Sequence, residues 1–295
     1  MTSRFFCTGV VAYKHMNFLN PHVIGIVMKE VVRRAIGVIR AERMTFESKI
    51  KMGYGGTMND VVTSADIAAQ AVYIKILQEC FPEVGIIAEE GEISIIGTSM
   101  YQNTYFTVDP LDGTRAFARK QSDGVGTMIA LVNDGIVIAA CIGNVYTQEL
   151  FYFRPESPHV HRIFDSDQSE RLVVNDKKVQ DTFLLLQTMP KNYTKGGQVF
   201  IAKNMFKDCV VIGGSIGVTF TRLWTGEVGG IVLRGALQTP WDCAPVFGIS
   251  QKMGFQTFEI QEDGTLTPYT FNSVIQIQKQ VRDILIINPS CLELK

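Results

Sequence analysis

The chain has 295 residues, of which 46% are hydrophobic, 10% aromatic and 19% charged, and this composition excludes an intrinsically disordered protein. Its 28 basic and 29 acidic residues give a net charge of −1, so no bulk electrostatic attraction favours nucleic acid or an anionic membrane as partner. At about 150 residues per domain, the length predicts two domains or one large one.

Cysteine usage and the lack of long apolar runs point to a cytoplasmic protein. The six cysteines are scattered and form no CxxC pair, which is typical of free thiols in a reducing compartment. No apolar run approaches the roughly 18 residues that span a bilayer. Residues 5–13 are apolar, but Lys14 follows at once and no clear cleavage site for a secretory signal is present.

The first half of the chain predicts two helices and five strands. Apolar residues recur at helical spacing over residues 21–44, and Thr63 to Asp66 has the pattern of a capping box at the start of a second helix. Gly53 and Gly56 indicate a mobile loop between these helices. Strands are predicted at 84–88, 104–108, 125–132, 135–142 and 150–153, the last three as an antiparallel meander.

A segment rich in proline, serine and aspartate, residues 155–170, is the best candidate for a domain boundary. We therefore predict an N-terminal α+β domain over 1–157 and a C-terminal α/β domain over 158–295. In the second domain, strands are predicted at 172–175, 182–187, 210–212 and 282–288, and helices at 215–225 and 242–253.

The most informative motif is Asp109-Pro-Leu-Asp112-Gly113-Thr114, which follows a predicted buried strand. If the turn begins a helix, the carboxylates of Asp109 and Asp112 share a face and can converge. The backbone N–H groups of Gly113 and Thr114 would then lie at a helix N-terminus, where an anion is favoured. Carboxylates beside amide donors suit a divalent metal that bridges to a phosphate. An ordinary surface turn is the alternative for these six residues alone.

Two further acids lie at comparable positions. Glu89 ends a predicted buried strand, and Asp242 lies at the start of a predicted helix. A solubilising or helix-capping role would explain each acid alone. Together with Asp109 and Asp112 they occupy strand ends and a helix start, and this placement favours a site.

The order and spacing of these segments resemble the inositol monophosphatase superfamily. The resemblance rests on Asp109 to Thr114, on Ile87-Ala-Glu-Glu90 before it and on Trp241-Asp-Cys-Ala244 far downstream, and it extends from about Asp60 to Gly254. This group includes fructose-1,6-bisphosphatases, bisphosphate nucleotidases and one class of histidinol-phosphate phosphatases. The resemblance implies a layered αβαβα sandwich and a Mg²⁺-dependent, lithium-sensitive phosphomonoesterase that uses a metal-activated water.

The resemblance also implies roles for individual residues. The metal ligands would be Glu89, Asp109 and the carbonyl of Leu111 for one Mg²⁺, and Asp109, Asp112 and Asp242 for a second, with Glu89 helping to place a third. The groups that orient the attacking water would be Thr114 and Glu89, with Asp66 hydrogen-bonded to Thr114. The predicted substrate contacts are Gly113, Thr114, Gly213, Gly214, Ser215 and Arg234.

The substrate itself stays open at this level. Gly235 occupies the position at which inositol monophosphatases carry a glutamate that grips sugar hydroxyls, and Arg234 precedes it. An arginine could bind a second phosphate or a carboxylate. The alternatives are therefore a small phosphorylated sugar, inositol or related metabolite, histidinol phosphate, or a 3′(2′),5′-bisphosphate nucleotide. A homodimer is a possible assembly, and the non-enzymatic alternative is a phosphate-sensing or partner-binding protein that retains the fold.

Overall fold

The structure of the protein, a computed structural model, describes residues 19–54, 56–164, 168–273 and 275–292. The apolar residues 5–13 lie outside this part of the chain. Among the helices of the described ranges, none combines the length and the apolar character required to cross a bilayer.

The described ranges contain six α-helices, which largely follow the predicted apolar periodicity. Asn20 caps the first helix by accepting from the backbone N–H of His22 at 2.9 Å. Gly254 ends the last helix in the left-handed conformation, with φ of 90°. The helices are α1 (Pro21–Glu42), α2 (Ser64–Cys80), α3 (Thr114–Ala118), α4 (Lys195–Ala202), α5 (Ile216–Trp224) and α6 (Pro240–Met253).

A two-stranded hairpin lies between α1 and α2, where the sequence predicts only a loop. Its strands are β1 (Ser48–Met52) and β2 (Met58–Thr63), which pair antiparallel. Gly53 and Gly56 lie in the turn that joins them. The hairpin lacks the buried face that makes a strand predictable, because its apolar side chains Ile50, Met52 and Met58 are exposed.

The first large sheet has eight strands in the order β10-β9-β8-β7-β6-β5-β3-β4. Neighbouring strands are antiparallel except β3 and β5, and β6, β7 and β8 form the predicted meander. The sheet continues past residue 157 through β9 and β10, and the division of the chain at 157/158 stays a prediction. The strands are β3 (Gly85–Ala88), β4 (Ile93–Ile95), β5 (Thr104–Asp112), β6 (Gly126–Asn133), β7 (Ile136–Asn144), β8 (Leu150–Phe153), β9 (His161–Ile163) and β10 (Ser169–Arg171).

The second large sheet has six strands in the order β12-β11-β13-β18-β15-β16. Strand β11 is parallel to β12 and β13, and the remaining pairs are antiparallel. A separate ribbon pairs β14 with β17 just before α6. The strands are β11 (Phe183–Leu186), β12 (Asp208–Val211), β13 (Gly230–Leu233), β14 (Leu237–Gln238), β15 (Gln256–Ile260), β16 (Leu266–Pro268), β17 (Gln278–Lys279) and β18 (Ile284–Ile287).

Three buried apolar clusters separate the layers and confirm the predicted αβαβα sandwich. The first cluster lies between α1, α2 and one face of the eight-stranded sheet. The second joins the other face of that sheet to α5, α6 and the six-stranded sheet, and the third lies between the six-stranded sheet and α4. Strand β6 shows the alternation, since Ile129 faces the first cluster and Met128 the second.

Two local features differ from the sequence predictions. Residues 172–175 form no strand: Leu172 and Val174 pack against the second cluster as predicted for a buried face, but the segment joins neither large sheet. Helix α4 has no sequence signal, since Gly196 and Gly197 lower its helix propensity. A Cβ on Gly197 would overlap the carboxylate of Asp283, so close packing requires glycine there.

Candidate active site

Strand β5 ends in a bulge that carries Asp109 and Asp112. Asp109 is paired with Met128 and Asp112 with Gly126, so β5 has one residue more than β6 in this interval. Pro110 lies in the bulge, and Asp109 Oδ1 accepts from the backbone N–H of Leu111 at 3.1 Å. Both carboxylates are buried at the end of the strand, as the sequence predicts for this motif.

Helix α3 begins directly after the bulge, and its first turn depends on Gly113. This residue has φ of 91°, in the left-handed region that favours glycine. A Cβ there would overlap the carbonyl oxygen of Gly124 and lie 2.9 Å from the backbone nitrogen of Ser215. Gly113 therefore lets the Asp109–Thr114 segment approach the start of α5 closely.

The N-terminus of α5 holds the carboxylate of Asp112. Asp112 accepts from the hydroxyl of Ser215, from the backbone N–H of Ile216 at 3.0 Å and from that of Gly217 at 2.7 Å. Burial and the charge of Asp242 raise the pKa of Asp112 to about 7, although these three hydrogen bonds act to lower it. The carboxylate is thus fixed in orientation by donors more than 100 residues away in sequence.

Asp242 enters the site from the first turn of α6. Pro240 opens the helix, and the hydroxyl of Thr239, just before it, donates to Asp242 Oδ2. Ligand oxygens of Asp109, Asp112 and Asp242 all lie within 4.8 Å of one another. Burial, followed by the charges of Glu89, Asp112 and Asp242, raises the pKa of Asp109 well above its usual range.

Glu89 lies beside this group at the end of β3 and is held by a lysine. Lys51 Nζ on β1 lies 3.2 Å from Glu89 Oε1, 2.6 Å from Glu90 Oε1 and 3.8 Å from Asp60 Oδ2. Burial and the charge of Asp242 raise the pKa of Glu89 to about 8. Burial alone would lower the pKa of Lys51, but the charges of Glu89 and Glu90 raise it above its ordinary value.

Thr114 and Asp66 form the predicted hydrogen-bonded pair. Thr114 Oγ1 lies 2.9 Å from Asp66 Oδ1 and 3.0 Å from the carbonyl oxygen of Leu111. Asp66 is fully buried and also accepts from the backbone N–H of Thr63 at 2.8 Å, as part of the predicted capping box of α2. The carbonyl of Leu111 points toward this pair, and its role as a metal ligand stays a prediction.

The predicted substrate contacts fall into two groups. Gly213 and Gly214 are exposed just before α5, where Gly214 has φ of 105°, whereas Ser215 is fully buried. The Ser215 hydroxyl is engaged by Asp112, so its contact in this structure is with a carboxylate of the site. Arg234 is exposed at the end of β13, and Gly235 after it donates to Asp283 Oδ1 at 2.7 Å.

Sequence reasoning missed Lys51, Thr239 and Tyr54, whose hydroxyl lies 3.3 Å from the carbonyl oxygen of Glu89. Only Thr239 has a local signal, since threonine, proline and an acid three residues on mark a helix start. Lys51 and Tyr54 belong to the hairpin, whose docking depends on tertiary contacts.

The arrangement is chemically suited to a hard divalent cation. Its ligand atoms are carboxylate oxygens, the donors that Mg²⁺ and Ca²⁺ prefer. The raised pKa values of Asp109, Asp112 and Glu89 reflect negative charge gathered away from water. The residues present therefore fit a metal centre.

A model of the inositol monophosphatase family matches residues 21–283 of the chain. The chain belongs to the inositol monophosphatase family. Among its curated relatives, the Nus factor SuhB of Vibrio cholerae is 37% identical over 93 residues, which cover 32% of this chain and 33% of that protein. The inositol-1-monophosphatase of Synechocystis is 29% identical over 124 residues, covering 41% of this chain and 42% of the relative. These matches thus span less than half of the relatives' length.

Solved structures share the fold of this family member over most of its length. The native extragenic suppressor protein suhB of Bartonella henselae has a TM-score of 0.69 at 20% identity, covering 91% of this chain and 95% of its own. An IMPase of Thermotoga maritima has a TM-score of 0.66 at 18% identity, covering 90% and 92%. At these identities the likeness establishes the sandwich fold.

Proposed function

We propose that the chain is a Mg²⁺-dependent phosphomonoesterase that hydrolyses a small phosphorylated sugar, inositol or related metabolite. The observation that carries the proposal is the convergence of Asp109, Asp112 and Asp242 within 4.8 Å. These carboxylates come from two different elements of the sandwich, the end of β5 and the start of α6. Membership of the inositol monophosphatase family supports the same reaction class.

The proposed metal ligands are those of the resemblance: Glu89, Asp109, the carbonyl of Leu111, Asp112 and Asp242. Bound Mg²⁺ supplies charge neutralisation for transfer of the phosphoryl group to water. A count of two or three ions, lithium sensitivity, a cytoplasmic location and a homodimer stay predictions.

The chain's own residues would position the water and the phosphate. Thr114 can donate a hydrogen bond from its hydroxyl to Asp66 at 2.9 Å, and its oxygen can then accept a hydrogen bond from the attacking water and orient it. Asp66 keeps Thr114 in this orientation because two groups of Thr63 hold its other oxygen. The backbone at Gly113 and Thr114 would donate to phosphoryl oxygens at the start of α3.

The direct test is release of inorganic phosphate from a panel of phosphomonoesters, with Mg²⁺ and with a chelator in its place. We expect turnover of at least one sugar or inositol phosphate, lost on chelation and restored by Mg²⁺. If phosphate esters bind but none is hydrolysed with Mg²⁺ present, the phosphate-sensing alternative would replace the enzymatic one.

A second candidate, a phosphatase for a substrate with two anionic groups, is favoured by Arg234 and Gly235. Gly235 offers no side chain to sugar hydroxyls, and the exposed guanidinium of Arg234 can bind phosphate or carboxylate. A segment of 124 residues is 29% identical to the 3′(2′),5′-bisphosphate nucleotidase CysQ of Salmonella typhimurium, covering 42% of this chain and 48% of that protein. Histidinol phosphate, which carries an amine, is a third substrate for the panel.

The Arg234→Ala variant tests whether Arg234 recognises a second anionic group on the substrate. For a substrate with a second anionic group we expect KM to rise about tenfold with a smaller change in kcat, because a charge-assisted contact to a remote group is lost. For myo-inositol monophosphate we expect no change. Arg171→Ala, at another exposed arginine on β10, is the control. Equal effects on both substrates would rule out recognition of the second anion by Arg234.

A further inference from the structure

The turn of the β1–β2 hairpin places one aromatic side chain against the acidic site. Gly53 donates its backbone N–H to the carbonyl of Thr57 at 2.8 Å, and Gly56 donates to that of Gly53 at 2.9 Å. Tyr54 projects from this turn, with its ring centroid 5.5 Å from that of Trp241 and a tilt of 51°. Its hydroxyl donates to the backbone carbonyl of Glu89 at 3.3 Å.

Tyr54 therefore contacts the backbone of Glu89 and the neighbour of Asp242, two site carboxylates that come from different elements. Glu89 directly follows β3, and Trp241 immediately precedes Asp242 in the first turn of α6. Trp241 is 4% exposed, so its ring is a fixed surface of the second apolar cluster. The side chain of Tyr54 thus connects the hairpin both to the segment after β3 and to the start of α6.

Lys51 and Asn59 of the hairpin make polar contacts with the site. Lys51 Nζ contacts Glu89 and Glu90 at 3.2 and 2.6 Å. The guanidinium of Arg115 on α3 donates to the backbone carbonyl of Asn59. A divalent cation bound at Glu89 would compete with the ammonium of Lys51 for the same oxygens, because both are positive charges. The ring contact of Tyr54 with Trp241 is insensitive to that competition.

We propose that Tyr54 is a positioning residue that keeps the hairpin docked on the site and so raises its affinity for Mg²⁺. Tyr54 holds the backbone of Glu89 and the start of α6 at a fixed separation. It also keeps Asp60 of the hairpin near the acidic group when Lys51 loses its partner. The proposal rests on the metal centre proposed above, and its test includes measurements that require no substrate.

The test compares Tyr54→Ala and Tyr54→Phe with Met58→Ala, a control at an exposed residue of the same hairpin. Backbone hydrogen exchange over residues 48–63 and Mg²⁺ binding by calorimetry are measured for the full chain. For Tyr54→Ala we expect faster exchange across the hairpin and an Mg²⁺ affinity lower by about tenfold or more, as for loss of groups that support metal ligands. Tyr54→Phe, which keeps the ring, is expected to retain most of both properties.

Phosphate release separates positioning from catalysis. At saturating Mg²⁺, Tyr54→Ala should recover most of its kcat, since the proposed role of Tyr54 is to raise the affinity for Mg²⁺ and no step of the proposed mechanism uses its side chain. If the alanine variant does not fold, Tyr54→Leu carries the same test, because it keeps apolar bulk and removes the ring and hydroxyl contacts. Hydrogen exchange and Mg²⁺ affinity equal to those of Met58→Ala would overturn the proposal. Absence of Mg²⁺ binding by the unsubstituted protein would overturn the proposed function, and hydrogen exchange without metal would still decide whether Tyr54 holds the hairpin.

Discussion

Replacing Asp109 by asparagine is expected to lower kcat by about three orders of magnitude or more while making the metal-free protein more stable. Asp109 is the carboxylate that the proposed metal ions share, so its loss removes a ligand from each. Without metal it is buried among Glu89, Asp112 and Asp242, and burial and these charges raise its pKa well above the usual range. An asparagine amide is neutral without taking up a proton, and its oxygen can still accept from the backbone N–H of Leu111. A gain of about 1 kcal/mol corresponds to a rise in Tm of roughly 2–4 °C.

Asp112→Asn is the informative comparison, because the same chemical change should have the opposite effect on stability. Asp112 accepts hydrogen bonds from Ser215, Ile216 and Gly217. The amide NH₂ of asparagine cannot accept from a backbone N–H, so one buried donor loses its partner at a cost of about 1–3 kcal/mol. We therefore expect loss of activity in both variants, with a raised Tm for Asp109→Asn and a lowered Tm for Asp112→Asn.

Thermal unfolding without metal and phosphate release with Mg²⁺ provide the measurements. Asp181→Asn, at an exposed acid outside the site, should change neither quantity. Near-normal Mg²⁺-dependent turnover by Asp109→Asn would mean that this carboxylate is not a metal ligand. A common shift of Tm in both site variants would contradict the distinct roles assigned to their hydrogen bonds.

The parts of the site that the sequence predicts are those with local chemical signals. The Asp109–Thr114 motif follows a buried strand, and Thr63 and Asp66 form a capping box, so turn and helix-start chemistry locates them. Asp242 has a local signal as an acid at a helix start, and its assignment to the site follows from the Trp241-Asp-Cys-Ala244 segment of the resemblance. Such features depend on residues a few positions away in sequence, so they can be predicted without knowledge of the tertiary structure.

The groups that the sequence does not predict are brought in by long-range contacts. Lys51 reaches Glu89 across 38 residues, and Ser215 reaches Asp112 across 103. The apolar residues of the hairpin strands form no buried face, since Ile50, Met52 and Met58 are exposed, and the contacts of the hairpin with the site are made by Lys51 and Tyr54. Convergence of side chains from separate layers follows from the packing of the two sheets around α5 and α6.

The stabilisation of the protein by Mg²⁺ is expected to grow as pH rises from about 6 to about 8.5. Burial comes first among the causes that raise the pKa of Glu89 to about 8 and that of Asp112 to about 7. In the unfolded chain these carboxyls titrate near about 4. Between about pH 4 and about pH 7 to 8, Glu89 and Asp112 of the folded, metal-free protein hold protons that the unfolded chain has released. The stability that these groups contribute is therefore full below about pH 4 and lost as pH rises through about 7 to 8.

Mg²⁺ reverses this loss because it replaces the protons as the positive charge within the site. At about pH 6 the cation must displace bound protons, which weakens its apparent affinity, whereas at about pH 8.5 Glu89 and Asp112 are largely ionised and bind it directly. Lys51 is the nearby positive charge, and its raised pKa keeps it protonated throughout this range. Binding at 100 times the dissociation constant corresponds to about 2.7 kcal/mol, a shift of Tm that calorimetry resolves readily.

Differential scanning calorimetry with and without Mg²⁺, at both pH values and at matched ionic strength, measures the effect. The metal-free Tm should fall toward the higher pH, and the increase in Tm on adding Mg²⁺ should be larger there. Asp109→Asn supplies the control, because loss of a shared ligand should remove most of the Mg²⁺-dependent increase at either pH. An increase of the same size at both pH values would show that cation binding is not linked to protons held by Glu89 and Asp112. That result would contradict the assignment of these two residues as metal ligands.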